Sequence, residues 1–176
     1  MATTGATAPD PAADGQDGSP APGVRHETFA VELHLDAPPS AVFEAFADPS
    51  VRRRWFRLPG RDATYDHDFS VGGGETASSV FPVPGAAPER LAYTSRYLDI
   101  TPASRIVYAY TSVVDDIPRW SSLVTVELHP DSGGTRLRWT EQAAFLTASA
   151  VPEHDLPHLR GATRLRLNGL TAALRS

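Results

Sequence analysis

Glu141 is the residue best placed for chemistry, because the sequence around it predicts a strand that points its carboxylate inward. Residues 134–144 alternate between apolar and polar side chains, and Leu137, Trp139 and Glu141 share one parity. Residues of one parity lie on one face of a sheet, and a carboxylate on an apolar face is costly unless it is paired. We therefore consider three roles for Glu141: an ion pair with an arginine such as Arg96, a polar anchor or general acid/base in a pocket, or a strand end that reaches water.

Aromatic side chains in neighbouring segments could surround this carboxylate. Trp120 shares the parity of Val124 and Val126. Tyr108 and Tyr110 add two rings, but the weak alternation in their segment does not show on which face of the strand they lie. Aromatic walls with a few polar groups are expected of a small-molecule pocket. A filled core is the alternative, because an empty cavity costs about 24 cal/mol per Å3. The residues alone leave both open, with this candidate lining: Trp55, Tyr108, Tyr110, Trp120, Trp139, Glu141, Thr163 and Leu167.

Other catalytic and metal-binding patterns are excluded or disfavoured. The chain has no cysteine, which excludes disulfides, thiolate zinc sites and cysteine nucleophiles. In a strand, the aspartates of Asp66-His67-Asp68 point to one face and the histidine to the other, so the three cannot converge on one metal. His154 and His158 flank Pro157, which favours a helix entry over a metal site. We expect no catalytic residue, no metal and no cofactor.

The charge of the chain argues against two classes of partner. The formal net charge of -5 offers no overall attraction to nucleic acid or to an anionic membrane. One basic run, Arg52-Arg53-Arg54, could contact a phosphate, but we interpret it as the solvated face of a short helix. No window holds the roughly 18 apolar residues of a membrane span. We expect neither nucleic acid nor membrane as a partner.

Residues 1–24 differ in composition from the rest of the chain. They are rich in Ala, Pro, Gly and Asp and carry almost no large apolar side chain. Such a segment cannot offset the entropy of ordering, which predicts a disordered tail. It also lacks the basic and apolar regions of a secretory signal, so the cytoplasm is the expected location.

The elements that must position these residues are predicted from periodicity. Alternation through Phe29 predicts a first strand, and helical spacing predicts two short helices, one ending at Asp48 and one over residues 50–56. Gly72-Gly73 is predicted to form a tight turn, because glycine readily takes a positive φ. Short turns between strands argue for an antiparallel meander. Its six strands are predicted at residues 62–70, 74–81, 89–100, 104–114, 119–129 and 134–144.

Leucine spacing predicts a long final helix over residues 155–174. Its apolar residues recur at spacings of three and four, which places them on one stripe. Each leucine buried there contributes about 1.5–3 kcal/mol, so the stripe must lie on an apolar surface, and the inner face of the sheet provides one. The fold class predicted is α+β. The stripe consists of Leu156, Leu159, Thr163, Leu167, Leu170 and Leu174.

Four of these segments together resemble the START-like (SRPBCC) superfamily, specifically its branch of homologues of the activator of heat-shock protein 90 ATPase. They are Trp55-Phe56, Asp68-Phe69-Ser70-Val71-Gly72-Gly73, Gly134-Thr135-Arg136-Leu137 and Thr140-Glu141. The resemblance implies a helix-grip (START/Bet v-like) fold over residues 25–176, in which a curved antiparallel sheet wraps around the C-terminal helix. It also implies a space between helix and sheet, which favours a pocket over a filled core.

The resemblance leaves three classes of function. We favour a binding protein for a small apolar or aromatic molecule, held in a cavity between the sheet and the C-terminal helix. The alternatives are a polyketide cyclase- or lyase-like enzyme that uses a pocket carboxylate, and a partner that regulates a chaperone ATPase. The chaperone reading ranks last, because the resemblance covers only the domain corresponding to the C-terminal part of the eukaryotic activators. A homodimer is a further expectation.

Overall fold

The computed structural model describes residues 23–147 and 149–175, so nearly all of the predicted tail of residues 1–24 lies outside the described residues. The helices and strands follow the predicted order, and their ends differ from the predicted ones by only a few residues. They are β1 (Arg25–Leu35), α1 (Pro39–Ala47), α2 (Pro49–Trp55), β2 (Arg61–His67), β3 (Glu75–Phe81), β4 (Glu89–Thr101), β5 (Arg105–Val114), β6 (Ile117–Asp131), β7 (Gly134–Phe145) and α3 (Asp155–Ala173).

The seven strands form one antiparallel sheet in the order β1-β7-β6-β5-β4-β3-β2. Strands β2 to β7 are the predicted meander, and β1 closes the far side by pairing with β7. Glu141 of β7 stands opposite Phe29 of β1 and Val124 of β6. The carboxylate therefore lies on a strand that has paired neighbours on both sides, away from either edge of the sheet.

The predicted Gly72-Gly73 turn and the turn between β5 and β6 both depend on unusual backbone geometry. Gly72 has a φ of 89°, and Asp115 and Asp116 have φ values of 50° and 64° at the tip of the β5–β6 hairpin. Aspartate tolerates this left-handed region because its short side chain bonds nearby backbone. At Gly74 a Cβ atom would come within 1.9 Å of the Ser95 carbonyl oxygen, so only glycine allows β3 to approach β4 there.

The two short helices form a support for Trp55. Asp48 ends α1 and caps α2, because its carboxylate accepts a hydrogen bond of 2.7 Å from the Ser50 amide. The Trp55 indole donates to the Ala45 carbonyl at 2.8 Å and packs edge-on against Phe46, with ring centroids 4.8 Å apart. Trp55 is therefore fixed by both helices.

Helix α3 buries the predicted stripe and exposes the opposite side. Leu159, Thr163, Leu167 and Leu170 are buried, whereas Leu165 is 73% exposed. The buried leucines belong to the same apolar cluster as the inner face of the sheet. The predicted α+β helix-grip architecture is confirmed.

Candidate functional site

The carboxylate of Glu141 is fully buried and accepts hydrogen bonds from three neutral donors. Tyr110 donates to Oε1 at 2.5 Å, and the Trp139 indole and the Thr163 hydroxyl donate to Oε2 at 3.0 and 3.3 Å. Parity predicted the inward orientation correctly, since Glu141 is 0% exposed. Residues of β5, β7 and α3 thus meet at one carboxylate.

Two of the three sequence-based roles for Glu141 are wrong. Arg96 is exposed on β4, and no described arginine pairs with Glu141. The prediction that Glu141 reaches water at a strand end is also wrong, because β7 continues to Phe145 and the carboxylate is buried away from solvent. The role as a polar anchor or general acid/base remains a prediction.

A chain of hydrogen bonds extends from Glu141 toward the surface. The Trp120 indole donates to the Tyr110 hydroxyl at 3.0 Å, and that hydroxyl donates in turn to Glu141. Burial, and next the negative charge of Glu141, raises the pKa of Tyr110 well above its ordinary range. The phenol therefore keeps its proton and remains a donor to the carboxylate at every ordinary pH.

A groove of about 650 Å3 lies above this chain, between α3, the segment that follows α2, and the inner face of β4, β5 and β6. Four of the eight candidate residues line it: Trp55, Tyr110, Trp120 and Thr163. Glu141 lies beneath Tyr110 and Thr163. The other three candidates, Tyr108, Trp139 and Leu167, are at most 2% exposed and lie within the apolar core.

A second depression of about 380 Å3 continues the groove along α3. The two share Val114, Trp120, Leu159 and Ala162 in their linings. Trp120 therefore contacts both spaces. The second depression carries charges of both signs, from Glu89, Arg119 and Asp155.

A second buried polar cluster was not predicted from the sequence. Arg52 is 0% exposed, and its Nε and Nη2 donate to the two oxygens of the equally buried Glu75 at 2.7 and 2.9 Å. The interpretation of Arg52-Arg53-Arg54 as a solvated face is therefore wrong for Arg52. A signal was present: Arg52 stands three and four residues before Trp55 and Phe56, which places it on the apolar side of α2.

Aromatic rings complete the surroundings of this ion pair. The Arg52 guanidinium lies 4.0 Å from the Trp55 ring centroid and 4.6 Å from that of Phe56. Tyr65 donates to Glu75 at 2.6 Å. Burial alone would raise the pKa of the Glu75 carboxyl, but the charge and hydrogen bonds of Arg52 hold that pKa below its ordinary value. The pair fixes α2, and with it Trp55, against β3.

The remaining histidine-containing motifs do not form a metal site in the described part of the chain. No group of three candidate ligands occurs among residues 23–147 and 149–175. His67 faces inward and its Nε2 lies 3.0 Å from the Tyr97 hydroxyl, whereas Asp66 and Asp68 are exposed, as parity predicted. Burial lowers the pKa of His67, so its ring is neutral near pH 7.

None of the helices in the described residues has the length and apolar character needed to cross a membrane.

Comparison with known proteins places these features in context. A family model described as Activator of Hsp90 ATPase homolog 1-like protein matches residues 36–175. The Mll3558 protein from Rhizobium loti is 38% identical, with a TM-score of 0.72 over 86% of this chain and 99% of its own. A protein from Rhizobium leguminosarum is 33% identical, with a TM-score of 0.74 over 87% of this chain and 97% of its own.

A more distant structure shares the fold alone. DynU16, a protein of the dynemicin biosynthetic locus, is 15% identical, with a TM-score of 0.59 over 85% of this chain and 47% of its own. No curated protein sequence matches the chain.

Proposed function

We propose that this protein, which belongs to the family of Activator of Hsp90 ATPase homolog 1-like proteins, binds a small apolar or aromatic molecule between α3 and the sheet. A groove opens there above the hydrogen bonds that join Glu141, Tyr110 and Trp120. The groove is the observation that supports this proposal most directly. Its volume of about 650 Å3 falls within the range of about 300–1,000 Å3 typical of ligand pockets. The walls combine aliphatic and aromatic side chains with three arginines, Ser112 and Thr163.

The polar groups beneath the groove support use as a site over use as a core. Burying a carboxyl group together with its three donors costs more than filling all four positions with well-packed apolar side chains would. Departures of this kind from core-packing rules are expected at functional sites. Tyr110 and Trp120 connect the carboxylate to the groove wall, so a ligand in the groove would contact the outer end of a fixed hydrogen-bond chain.

The geometry favours binding over catalysis by the carboxylate itself. Glu141 is fully buried behind Tyr110 and Thr163, so the groups within reach of a ligand are the phenol and the indole. A cyclase- or lyase-like enzyme remains the second candidate, with the Glu141 carboxylate taking the Tyr110 proton as the phenol oxygen takes a proton from the ligand. Incubation with a candidate ligand followed by mass spectrometry separates the two, because only an enzyme releases a changed molecule.

Regulation of a chaperone is the third candidate and is tested separately. A pull-down with a heat-shock protein 90 ATPase and an assay of its turnover would reveal such a partner. A groove variant that abolishes ligand binding but leaves ATPase regulation intact would assign the two activities to different surfaces.

The binding proposal is tested with N-phenylnaphthylamine, a neutral aromatic probe that fluoresces in apolar surroundings, and with native mass spectrometry for a co-purified molecule. Leu165 lines the groove but is exposed, so Leu165→Gln should lower the affinity for the probe roughly five-fold, about 1 kcal/mol, without unfolding the protein. Asn168→Gln, on the exposed side of α3 and outside the groove lining, is the matched control. Equal affinities for both variants and wild type would refute the groove as the site.

A further inference from the structure

The charge of the groove lining differs from that of the whole chain. Arg54, Arg57 and Arg166 line the groove, and its described lining includes no aspartate or glutamate. The chain as a whole carries a net charge of -5. Positive charge is therefore concentrated at one site of an acidic protein, and low-dielectric walls strengthen its effect on a bound group.

Two of these arginines have no counter-charge in the described structure. Their neighbours are engaged: Arg52 pairs with Glu75, and Arg53 donates to the Tyr65 carbonyl. Arg57 and Arg166 form no ion pair with any residue in the ranges described. Both are thus available to an anion from outside the chain.

Arg166 is also held in position. Its guanidinium carbon lies 4.7 Å from the Phe56 ring centroid, and the residue is half-buried. Stacking on an aromatic ring fixes the guanidinium plane and leaves its edge for planar, bidentate hydrogen bonds. A carboxylate or sulfonate matches that edge, because two of its oxygens can accept together.

The arginines lie at one end of the groove and aromatic surface at the other. On α3, Leu159 precedes Arg166 by seven residues, which corresponds to about 10 Å along a helix. Leu159 and Trp120 line the end shared with the second depression. Two or three fused or linked rings span a distance of this size.

We propose that the groove takes an aromatic or apolar molecule that carries an anionic group, with the anion bound by Arg57 and Arg166 and the ring system lying toward Leu165 and Trp120. This inference rests on the proposed function and adds the charge of the ligand. Two observations support it: the positive charge of Arg57 and Arg166, which is unpaired within the described structure, and the length of apolar surface between these arginines and Trp120.

A matched pair of probes tests the inference. Anilinonaphthalene sulfonate and N-phenylnaphthylamine share the same ring system and differ in the sulfonate. We expect wild-type protein to bind the sulfonate about ten-fold more tightly, and Arg57→Gln or Arg166→Gln to remove most of that advantage while the neutral probe is unaffected. Added salt should weaken the binding of the sulfonate probe and leave the binding of the neutral probe unchanged. Arg160→Gln makes the same charge change on the exposed side of α3, outside the groove lining, and should alter neither affinity.

The outcomes separate the two proposals. Equal binding of both probes, with no effect of the arginine variants, would overturn the anionic ligand and leave the binding groove intact. Binding of neither probe, or no response to Leu165→Gln, would overturn the groove itself. Thermal melting of each variant excludes unfolding as the cause, and Arg57, which is exposed, keeps the test valid if Arg166→Gln fails to fold.

Discussion

Glu75 and Glu141 are both fully buried, but their carboxylates meet different partners. Glu75 faces the cation of Arg52 and a hydroxyl, so its charge is balanced within the fold. Glu141 faces one phenol, one indole and one hydroxyl. At the residue scale, the first carboxylate holds α2 in place, whereas the second leaves a hydrogen-bond chain directed toward the groove.

Glu141→Gln tests the second role. An amide keeps the shape but puts a donor where one carboxylate oxygen was. If the amide oxygen keeps the hydrogen bonds from Trp139 and Thr163, the NH2 group faces Tyr110. The Tyr110 hydroxyl must then accept a hydrogen bond from the NH2 group and point its own proton elsewhere. We expect a melting temperature close to wild type and a changed affinity for groove ligands, measured by calorimetry.

Glu141→Leu is the matched control. It removes every acceptor and leaves buried donors unsatisfied, at about 1–3 kcal/mol for each. We expect a clear loss of stability in urea denaturation for this variant alone. Unchanged affinity of Glu141→Gln for every probe that binds the groove would assign Glu141 to the scaffold.

Glu75→Gln tests the first role. The substitution leaves the Arg52 charge buried without its partner, and breaking a buried pair in this way costs about 3–5 kcal/mol. Asp99→Asn is the control, because it breaks the solvent-exposed Asp99–Arg105 pair and should cost far less stability. Similar losses in urea denaturation for both would contradict the structural role of the buried pair.

The same pair predicts the direction of acid unfolding. The folded-state pKa of Glu75 is lowered, because the charge and hydrogen bonds of Arg52 outweigh burial. Its stabilisation is therefore present above the ordinary glutamate pKa of about 4.3, and is lost as the pH falls from there through the folded-state value. Glu75→Gln should flatten that part of the stability–pH curve. A curve parallel to wild type would exclude Glu75 as a source of acid sensitivity.

At the scale of elements, α3 is the main test of the fold. Leu167→Ala and Leu170→Ala should each destabilise by about 2–5 kcal/mol, since both side chains are at most 2% exposed. Leu165→Ala should cost far less, because Leu165 is 73% exposed. Equal losses for all three in chemical denaturation would mean that the wrong face of α3 packs on the sheet.

Two glycines of α3 probe its contact with α2. Gly161 has open space around a built Cβ, so Gly161→Ala should stabilise by about 0.5–1 kcal/mol. At Gly169 the Cβ would lie 3.3 Å from Cβ of Trp55, which both short helices hold in place. We expect Gly169→Ala to gain nothing in thermal melting. Equal stabilisation by the two changes would show that Trp55 can move.

The sequence predicted the elements well because each has a strong local signal. Alternation in β7 identified the inward side of Glu141, and the leucine stripe identified the buried side of α3. Arg52 was missed because its partner Glu75 stands far along the chain, on a strand whose register no local pattern reveals. The same limit explains why Tyr108 was grouped with the groove although it lies in the core: both faces of β5 carry apolar or aromatic residues.

At the scale of the whole molecule, the groove is bounded by elements distant in sequence: α2 and the segment after it, β4, β5, β6 and α3. A ligand there contacts all of them at once. Since a ligand that binds only the folded state stabilises it by RT ln(1 + [L]/Kd), groove probes should raise the melting temperature as their concentration rises. This gives every variant above a readout that does not depend on fluorescence.

The last prediction concerns residues 1–23. This segment can bury almost no apolar area, so its deletion should leave the melting temperature nearly unchanged. A loss of several degrees would show that it packs on the domain. The segment also carries Asp10, Asp14 and Asp17 and no lysine or arginine, whereas Arg57 and Arg166 of the groove form no ion pair within the part of the chain that the structure describes. A tail bound at that site would compete with an anionic ligand, and its deletion would then tighten binding of anilinonaphthalene sulfonate. We expect the same affinity with and without the segment, because a sequence with so few apolar side chains offers little apolar contact that could hold its charges near Arg57 and Arg166.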